Sequence, residues 1–174
     1  AAAPSDGIED AVVWCPNSFT GTLDLSDADA GKGQIVRYSG PNYGISSTIF
    51  AWTVKGAGPA HPVGIAADAA GDLLVISPQC SWDATPSLWM LPFHAATGVY
   101  GAPVLVDHSF GGVKPLALAE VLVAGTAATA VGNAAPAWNA GDVLLLVGDT
   151  SASRVIVYSQ AAINGVLANP SQPL

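Results

Sequence analysis

Three carboxylates near the N-terminus are the candidate metal ligands. Asp24, Asp27 and Asp29 lie close together and are followed by the two glycines of residues 31–33. A hard cation such as Ca²⁺ binds clustered oxygen atoms on a loop that can curl. The spacing differs from the D-x-D-x-D-G pattern of EF-hand loops, and the closing Glu of that pattern is missing. The sequence leaves two interpretations open, a calcium site or an acidic loop in solvent.

A carboxylate in an apolar run and the histidines are the candidates for catalysis. Glu120 follows a run of Leu and Ala and precedes Val and Leu, where burial would raise the pKa of its carboxyl group. An acid at the end of a strand, facing solvent, is the alternative. The histidines, none with the H-x-H or H-x₃-H spacing of a local zinc site, are His61, His94 and His108. We take Glu120 and His61 as candidate catalytic residues, since the sequence has no G-x-S-x-G nucleophile motif.

Two of the tryptophans are candidates for ligand binding. Trp14, Trp52 and Trp89 lie within predicted strands and are expected in the hydrophobic core. Trp82 and Trp138 lie in predicted loops, where a flat aromatic ring can stack on a sugar or another ligand. These two side chains are therefore the predicted ligand contacts.

Short β-strands are the elements that must position these residues. Residues 143–147 are an unbroken apolar run that ends in turn-forming residues 148–151, and residues 154–158 continue in strand-forming residues. The segment 141–159 therefore predicts two antiparallel strands joined by a tight turn. Asn164-Gly165 indicates another turn soon afterwards.

The same pattern recurs along the chain, so we interpret the sequence as repeats. Four sets of segments match within each set: 10–15, 72–77 and 142–147; 34–39, 87–92 and 154–159; 61–67 and 114–120; and 96–103 and 163–170. They predict one domain, residues 1–174, with repeats at about 10–55, 61–108 and 114–174. The predicted strands are 11–15, 34–39 and 48–54 in the first repeat; 64–67, 73–77, 88–91 and 103–107 in the second; and 116–119 or slightly beyond, 143–147 and 155–158 in the third. The first repeat begins at its second strand and carries a long insertion, 16–33, and a loop, 124–140, interrupts the third.

Two of these segments resemble a known repeat family. Residues 62–75, PVGIAADAAGDLLV, and 141–158, GDVLLLVGDTSASRVIVY, are similar to blades of NHL-type β-propellers. Those blades read P-x-G-I-A-x-D-x-x-G-x-x-x-V and then D-x-x-N-x-R-V-x-V-Y/F. The second segment lacks the Asn that this pattern has before the Arg. The resemblance implies an all-β fold of about three four-stranded antiparallel blades, an incomplete β-propeller ring, and implies no particular reaction.

The cysteines and the N-terminal residues indicate a compartment. Cys15 and Cys80 are the only cysteines and lie near the ends of equivalent strands in adjacent repeats. A disulfide between neighbouring blades is sterically reasonable, and two buried thiols are the alternative. Residues 1–4, Ala-Ala-Ala-Pro, are typical of the start of a mature secreted chain. We therefore expect an extracellular or periplasmic location.

Composition excludes several classes of partner. The chain has 5 Lys and Arg against 13 Asp and Glu, a formal net charge of −8, so nucleic acids and anionic membranes would repel it. The longest apolar stretch, residues 116–131, is interrupted by Glu120. It is shorter than the roughly 20 residues that span a bilayer. Charged residues make up only 10% of the chain, against about 25% in typical soluble domains, which predicts an unusually uncharged surface.

The number of repeats leads to two functional hypotheses. Three blades cannot close a ring, because propellers have about 4 to 8 blades, so we expect a second polypeptide fragment or a second copy of the chain to complete it. The first hypothesis is a secreted binding or scaffold module. The second, implied by six-bladed relatives of the family, is half of a metal-dependent enzyme similar to lactonases or lyases. This chain could supply Glu120, Asp68, His61 and Asn133 to a cation at the mouth of the channel, and the other half of the ring would supply the remaining ligands.

Overall fold

The chain folds mainly into short β-strands. The computed structural model describes residues 14–17, 22–27, 33–39, 45–52, 58–59, 62, 64–77, 86–108, 110, 120–129, 137–148 and 153–174. Its elements are β1 (Trp14–Asn17), β2 (Thr22–Asp27), β3 (Gly33–Ser39), β4 (Ile45–Trp52), β5 (Gly64–Ala67), β6 (Leu73–Ser77), β7 (Ser87–Leu91), β8 (Phe93–His94), β9 (Val99–Tyr100), β10 (Val104–Asp107), β11 (Glu120–Val123), β12 (Val143–Gly148), β13 (Ser153–Tyr158) and α1 (Gln160–Ala168). Within these ranges, no helix has the length and apolar character that crossing a bilayer requires.

The strands form three antiparallel sheets in which successive strands are neighbours. The first sheet has the order β1-β2-β3-β4, the middle sheet β5-β6-β7-β10, and the third sheet, in the described residues, β11-β12-β13. A separate hairpin of β8 and β9 lies between β7 and β10 in the chain. In the described residues the predicted all-β fold is therefore confirmed, apart from one short helix.

The middle sheet and the hairpin of β12 and β13 lie where the sequence predicts them. β5 and β6 have the predicted bounds, and β7 and β10 each differ from prediction by one residue at one end. β12 and β13 pair from Val143 opposite Tyr158 to Gly148 opposite Ser153. Val, Ile and Leu dominate these segments and pack well on a pleated surface. The sequence pattern therefore predicts these strands correctly.

The first sheet contains a strand that the sequence pattern conceals. The prediction of an insertion at residues 16–33 is wrong, because β2 lies within that segment and pairs with both β1 and β3. Its sequence, TLDLSD, alternates polar and apolar residues over most of its length, but Asp is rare in strands and suggests a loop. β1 is consequently the first strand of a four-stranded sheet, and not the second strand of an incomplete one.

A helix replaces the turn predicted at Asn164-Gly165, so that prediction is wrong. Ser159 caps α1, because its hydroxyl oxygen accepts a hydrogen bond from the backbone N–H three residues later (3.2 Å). Ile163 and Val166, three positions apart, are both buried, so packing of one side stabilises the helix. Gly165 costs about 1 kcal/mol relative to Ala within a helix, and this burial outweighs that cost.

The middle sheet is buried on both faces, because its strands alternate between two hydrophobic clusters. The cluster shared with the first sheet comprises Ile35, Ile65, Leu73, Val75, Trp89 and Leu91. The cluster shared with the third sheet and α1 includes Leu74, Ile76, Leu88, Met90, Val121, Val143, Leu145, Tyr158 and Ile163. Fully burying one such side chain contributes about 1.5–3 kcal/mol. The two-sided burial of the middle sheet is therefore the main source of stability in the described fold.

Candidate interaction face

Strand register divides the third sheet into two faces. In an antiparallel pair, residues directly opposite each other lie on the same face of the sheet. The register places eight residues together on one face of β11, β12 and β13: Glu120, Gly148, Ser153 and the five aliphatic residues Leu122, Leu144, Leu146, Val155 and Val157. We call these five aliphatic residues the open face.

The two faces of the third sheet differ in burial. Val143, Leu145 and Tyr158, on the inner face, belong to the cluster shared with the middle sheet. On the open face, Leu122 and Val155 expose 40% and 43% of their surface, and the other three residues are half-buried. Within the described part of the chain, the open face is thus an aliphatic sheet surface on which no other sheet packs.

The turn before the second strand is the same in the middle and third sheets. Gly71 and Gly141 both have φ of 89°, a left-handed conformation that Gly adopts without strain. The next residues are Asp72 and Asp142, whose Oδ1 atoms accept a backbone N–H that lies two residues beyond the third strand. The distances are 2.6 Å in the middle sheet and 3.0 Å in the third. We call this Gly-Asp pair the clamp.

Backbone hydrogen bonds extend the equivalence to the first strands. The Asp68 N–H donates to the Asp72 carbonyl (3.0 Å), as the Ala124 N–H donates to the Asp142 carbonyl (2.8 Å). The carbonyl groups of Asp68 and Ala124 in turn accept the N–H of the clamp glycine, at 3.1 Å and 2.7 Å. The loop predicted at residues 124–140 is therefore an insertion into this turn, closed at its base by the same bonds as the short turn of the middle sheet.

The equivalence corrects one alignment made from the sequence. Glu120 pairs with Leu146 as Gly64 pairs with Ile76, so Glu120 corresponds to Gly64. The alignment of residues 61–67 with 114–120, which places Glu120 beside Ala67, is wrong by three residues. Both segments contain Pro followed by small and apolar residues, a pattern that fits several registers.

Counting from the clamp shows what the open face corresponds to. The equivalent pairs are Leu144 with Leu74, Leu146 with Ile76, Val155 with Leu88, and Val157 with Met90. All four of the middle-sheet residues are at most 1% exposed, because they pack in the cluster shared with the third sheet. The open face therefore occupies the position at which this repeat packs its next sheet.

The register places one charged residue, Glu120, on the same side of the sheet as the open face. Glu120 begins β11 at the register position opposite Leu146, at one end of the open face. Arg154 pairs with Val147 in the neighbouring row and so belongs to the inner side of the sheet.

A buried hydrogen bond ties the third sheet to the middle sheet. The Tyr158 hydroxyl donates to Asp107 Oδ2 (2.7 Å), and the Phe110 backbone N–H donates to Oδ1 (3.3 Å). Asp107 is itself buried at the end of β10. Burial, together with the hydrogen bond to Asp107 and its charge, raises the pKa of Tyr158 well above its ordinary value. The phenol therefore stays protonated, and the third sheet is held in place.

Asp142 joins the insertion and the helix to the third sheet. Its buried carboxylate accepts hydrogen bonds from the backbone N–H groups of Asn139 (2.8 Å) and Gln160 (3.0 Å). These bonds lower the pKa of Asp142, because they favour the charged form. Gln160 is the first residue of α1, so the negative charge also lies at the positive end of the helix.

The predicted calcium ligands do not form a common loop. Asp24 and Asp27 lie in β2, opposite Arg37 and Gln34, so the loop interpretation of these two residues is wrong. Asp29 lies outside the described residues. Among the residues that the structure describes, no three His, Cys, Asp or Glu side chains group closely enough to hold a metal ion.

Of the four residues proposed for catalysis or for the cation at the channel mouth, the structure describes Glu120 and Asp68, which lie at opposite ends of equivalent strands. Glu120 stands at the start of a first strand, whereas Asp68 follows the end of the equivalent strand β5. The Asp68 carboxylate shapes its own turn, because it accepts backbone N–H groups two and four residues later (2.9 and 3.0 Å). Burial and the nearby charge of Asp72 raise the pKa of Asp68, and these backbone bonds oppose the rise. His61 and Asn133 lie outside the described residues.

Trp138 closes the insertion of the third repeat. Its backbone pairs with Ala128, and its indole N–H donates to the Thr126 carbonyl (3.1 Å), so this side chain shapes its own loop. Trp82 lies outside the described residues, and Trp89 is in the core as predicted. Ligand binding by Trp82 and Trp138 stays a prediction.

The remaining predicted residues lie apart from the open face. Cys15 is in β1 and Cys80 is outside the described residues, so the disulfide stays a prediction. His94 and His108 are exposed, the first in β8 and the second directly after β10. Neither histidine belongs to the open face.

Sequence reasoning misses the open face, although its signal is present. β12 and β13 are apolar at successive positions, and strands that are apolar on both sides are expected to be covered on both sides. The exposed side of the third sheet can be identified only when the register assigns each residue to a face.

Comparisons with known proteins leave the geometry as the basis for assigning a function. No protein-family model matches this chain, and no curated protein sequence matches it either.

Proposed function

We propose that this chain is a secreted protein-interaction module, built from propeller-like blades, whose open face receives a further polypeptide. The observation that carries the proposal is the equivalence of the open face to the buried face of the middle sheet. Leu74 and Ile76 are covered by a neighbouring sheet, and Leu144 and Leu146 occupy the same positions without one.

The arrangement of the sheets supports a blade-like organisation. β5, the first strand of the middle sheet, lies beside both β1 and β11, the first strands of its two neighbours. In a propeller, the first strands of successive blades lie beside one another around the axis. This arrangement is consistent with the resemblance to NHL-type repeats, and it leaves a position for another blade next to the third sheet.

The size of the open face limits how strongly it binds by itself. Three strands about 4.8 Å apart and five residues of about 3.4 Å rise give a footprint of roughly 250 Å². At about 25 cal/mol per Å², covering that area contributes on the order of 6 kcal/mol. Association itself costs an estimated 4–15 kcal/mol. A stable complex therefore needs contacts beyond the open face.

Photo-cross-linking tests this proposal. A photoreactive amino acid is introduced at Val155 on the open face and, as the matched control, at Val99, which is 56% exposed on β9. We expect irradiation in the source organism to give one dominant adduct of defined mass from position 155 and none from position 99. Equal labelling at the two positions, or no adduct at position 155, would contradict a binding role for the open face.

A further inference from the structure

We propose that a partner polypeptide adds an extended aliphatic segment to the outer edge of β13, as a fourth strand of the third sheet. This inference rests on the proposed function, because it names how a polypeptide at the open face gains its further contacts. Strand addition takes its affinity from main-chain hydrogen bonds and its specificity from side chains that alternate between the two sides.

The middle sheet shows which strand belongs at this edge. β7 is the third strand of that sheet, and β10 pairs with it as the fourth, with Leu105 opposite Trp89. β13 is the third strand of the third sheet and corresponds to β7, since both are counted from the clamp. In the residues that the structure describes, β12 is the one strand that pairs with β13. At this edge the third sheet is therefore one strand short of the middle sheet.

The helix after β13 does not take the place of the fourth strand. α1 begins at Gln160, two residues beyond the end of β13, and packs against β10 of the middle sheet. Farther along, the backbone N–H of Leu174 donates a hydrogen bond to the Val106 carbonyl of β10 (2.8 Å). The chain after β13 therefore runs to the edge of the middle sheet.

The outer strands of the other two sheets have features that discourage strand addition. Bulges, charged residues and Pro blunt the edges of natural sheets. The register shifts between β3 and β4 and again between β7 and β10, and β10 also accepts the N–H of Leu174.

β13 has a more regular edge. It pairs with β12 from Ser153 to Tyr158 without a register shift. Its sequence is SRVIVY, in which Arg154 is the single charged residue. A regular and mainly apolar edge strand is a template for pairing with another chain.

The side chains that flank this edge define the chemistry of the added segment. Val155 and Val157 belong to the open face, whereas Ile156 packs against the cluster shared with the middle sheet. Residues placed opposite them would meet aliphatic side chains on both sides of the sheet. β10 has the matching composition, Val-Leu-Val-Asp, and its Val106 is fully buried. The segment that fits is therefore an extended strand with aliphatic residues at successive positions.

The added strand and the open face form one continuous surface. The open face alone has a footprint of roughly 250 Å², well below the roughly 800 Å² per partner of a standard interface. A partner that pairs with β13 and then crosses the open face adds main-chain hydrogen bonds to this apolar contact. Strand addition thus supplies the contacts that the open face lacks.

Hydrogen exchange of the full chain with a β10 peptide tests the inference. The probe is a synthetic peptide of residues 102–108, Ala-Pro-Val-Leu-Val-Asp-His. Without it, the alternate backbone N–H groups of β13 that point away from β12 should exchange quickly. With the peptide at about ten times its dissociation constant, their exchange should slow about tenfold. The amides of β8 and β9, in the separate hairpin, are the control and should not change.

N-methylated peptides distinguish strand pairing from side-chain packing, because N-methylation removes a backbone donor and keeps every side chain. Alternate N–H groups of a strand point to the same side. One peptide is methylated at the positions of Val104 and Val106, and the other at those of Leu105 and Asp107. We expect one of the two to lose its protection of β13 and the other to keep it. If both protect β13 as well as the unmodified peptide does, the inference is overturned.

The outcomes separate this inference from the proposed function. Slow exchange of every β13 amide in the free chain would show that the edge is already paired, and would overturn strand addition. An excess of the unmodified peptide that protects no β13 amide would do the same. If a polypeptide is still cross-linked at position 155 and not at position 99, the interaction module stands and only the mode of binding changes. If position 155 gives no adduct and β13 stays unprotected, both proposals fail.

Discussion

The middle and third sheets have the same construction but different surroundings. Both begin their second strand with a clamp whose Gly has φ of 89°, and both place apolar residues on both faces of the following strands. In the middle sheet, β6 and β7 are buried at every position, whereas in the third sheet burial alternates along the described part of β12. The difference arises from the neighbours, since among the described sheets the middle sheet has two neighbours and the third sheet has one.

This comparison shows that the strand sequences encode burial on both faces. Leu144, Leu146, Val155 and Val157 would be poor choices for a permanently solvated face, where polar residues normally alternate with apolar ones. An exposed apolar surface on such a sheet supports the proposed interaction role. The third sheet therefore has the sequence of an internal sheet.

The largest expected difference concerns equivalent leucines. Leu74→Ala should lower the free energy of unfolding by about 2–5 kcal/mol, because it leaves a cavity in a fully buried site. Leu144→Ala, at the equivalent half-buried position, should cost only about 1 kcal/mol in the dilute chain. Urea unfolding of both variants measures the two values. Equal losses would show that the open face is already covered within the chain.

The bond between Tyr158 and Asp107 should give the next largest effect. Tyr158→Phe removes the donor from a buried carboxylate and should cost about 1.5–3 kcal/mol. Tyr100→Phe is the matched control, because the half-buried Tyr100 hydroxyl accepts a hydrogen bond from Arg37 (3.0 Å) on the side of the first sheet. Its loss should cost about 0.5–1.5 kcal/mol. If urea unfolding gives the reverse order, the Tyr158 bond does not hold the third sheet.

Acid should affect the turns of the two sheets in opposite directions. The lowered pKa of Asp142 means that its charged form stabilises the fold above its unfolded value of 3.8 and that this stability is lost as pH falls below it. The difference in the free energy of unfolding between wild type and Asp142→Asn should therefore become smaller in acid. The pKa of Asp68 is raised, so its effect on stability is opposite. The free energy of unfolding of wild type should increase relative to that of Asp68→Asn as pH falls from neutral toward 3.8.

Urea midpoints measured across this pH range check both signs. Because the two variants carry the same Asp-to-Asn change, effects of net charge are matched. Parallel pH profiles for the two variants would contradict the assigned hydrogen bonds.

The smallest expected effect concerns α1. This helix follows β13 in the third sheet, whereas the hairpin of β8 and β9 follows β7 in the middle sheet. Gly165→Ala should raise stability by about 0.5–1 kcal/mol, because Ala is the better helix former and the added methyl group meets no atom within 4 Å. Gly98→Ala is the control, since that site is equally open but has φ of 70°. It should cost about 1 kcal/mol. Thermal unfolding compares the two, and a stabilising Gly98→Ala would contradict the assigned backbone conformation.

The sequence predicts the middle sheet well, because its strands are short apolar runs bounded by Gly, Pro and Asp. It fails where local composition and tertiary context disagree. β2 carries aspartates that suggest a loop, and Asn164-Gly165 suggests a turn although burial of Ile163 and Val166 holds that segment in a helix. The open face depends on strand register, which a single sequence does not fix. The calcium site and the disulfide stay predictions.

Hydroxyl-radical footprinting tests the central claim most directly, because it reports the exposure of individual side chains. The labelling of Leu144 and Val155 is compared with that of Leu74 in the dilute chain and in its native assembly. The account predicts that Leu144 and Val155 are oxidised in the dilute chain and protected in the assembly, while Leu74 is protected in both. Equal oxidation of Leu144 and Val155 in the two states would contradict it.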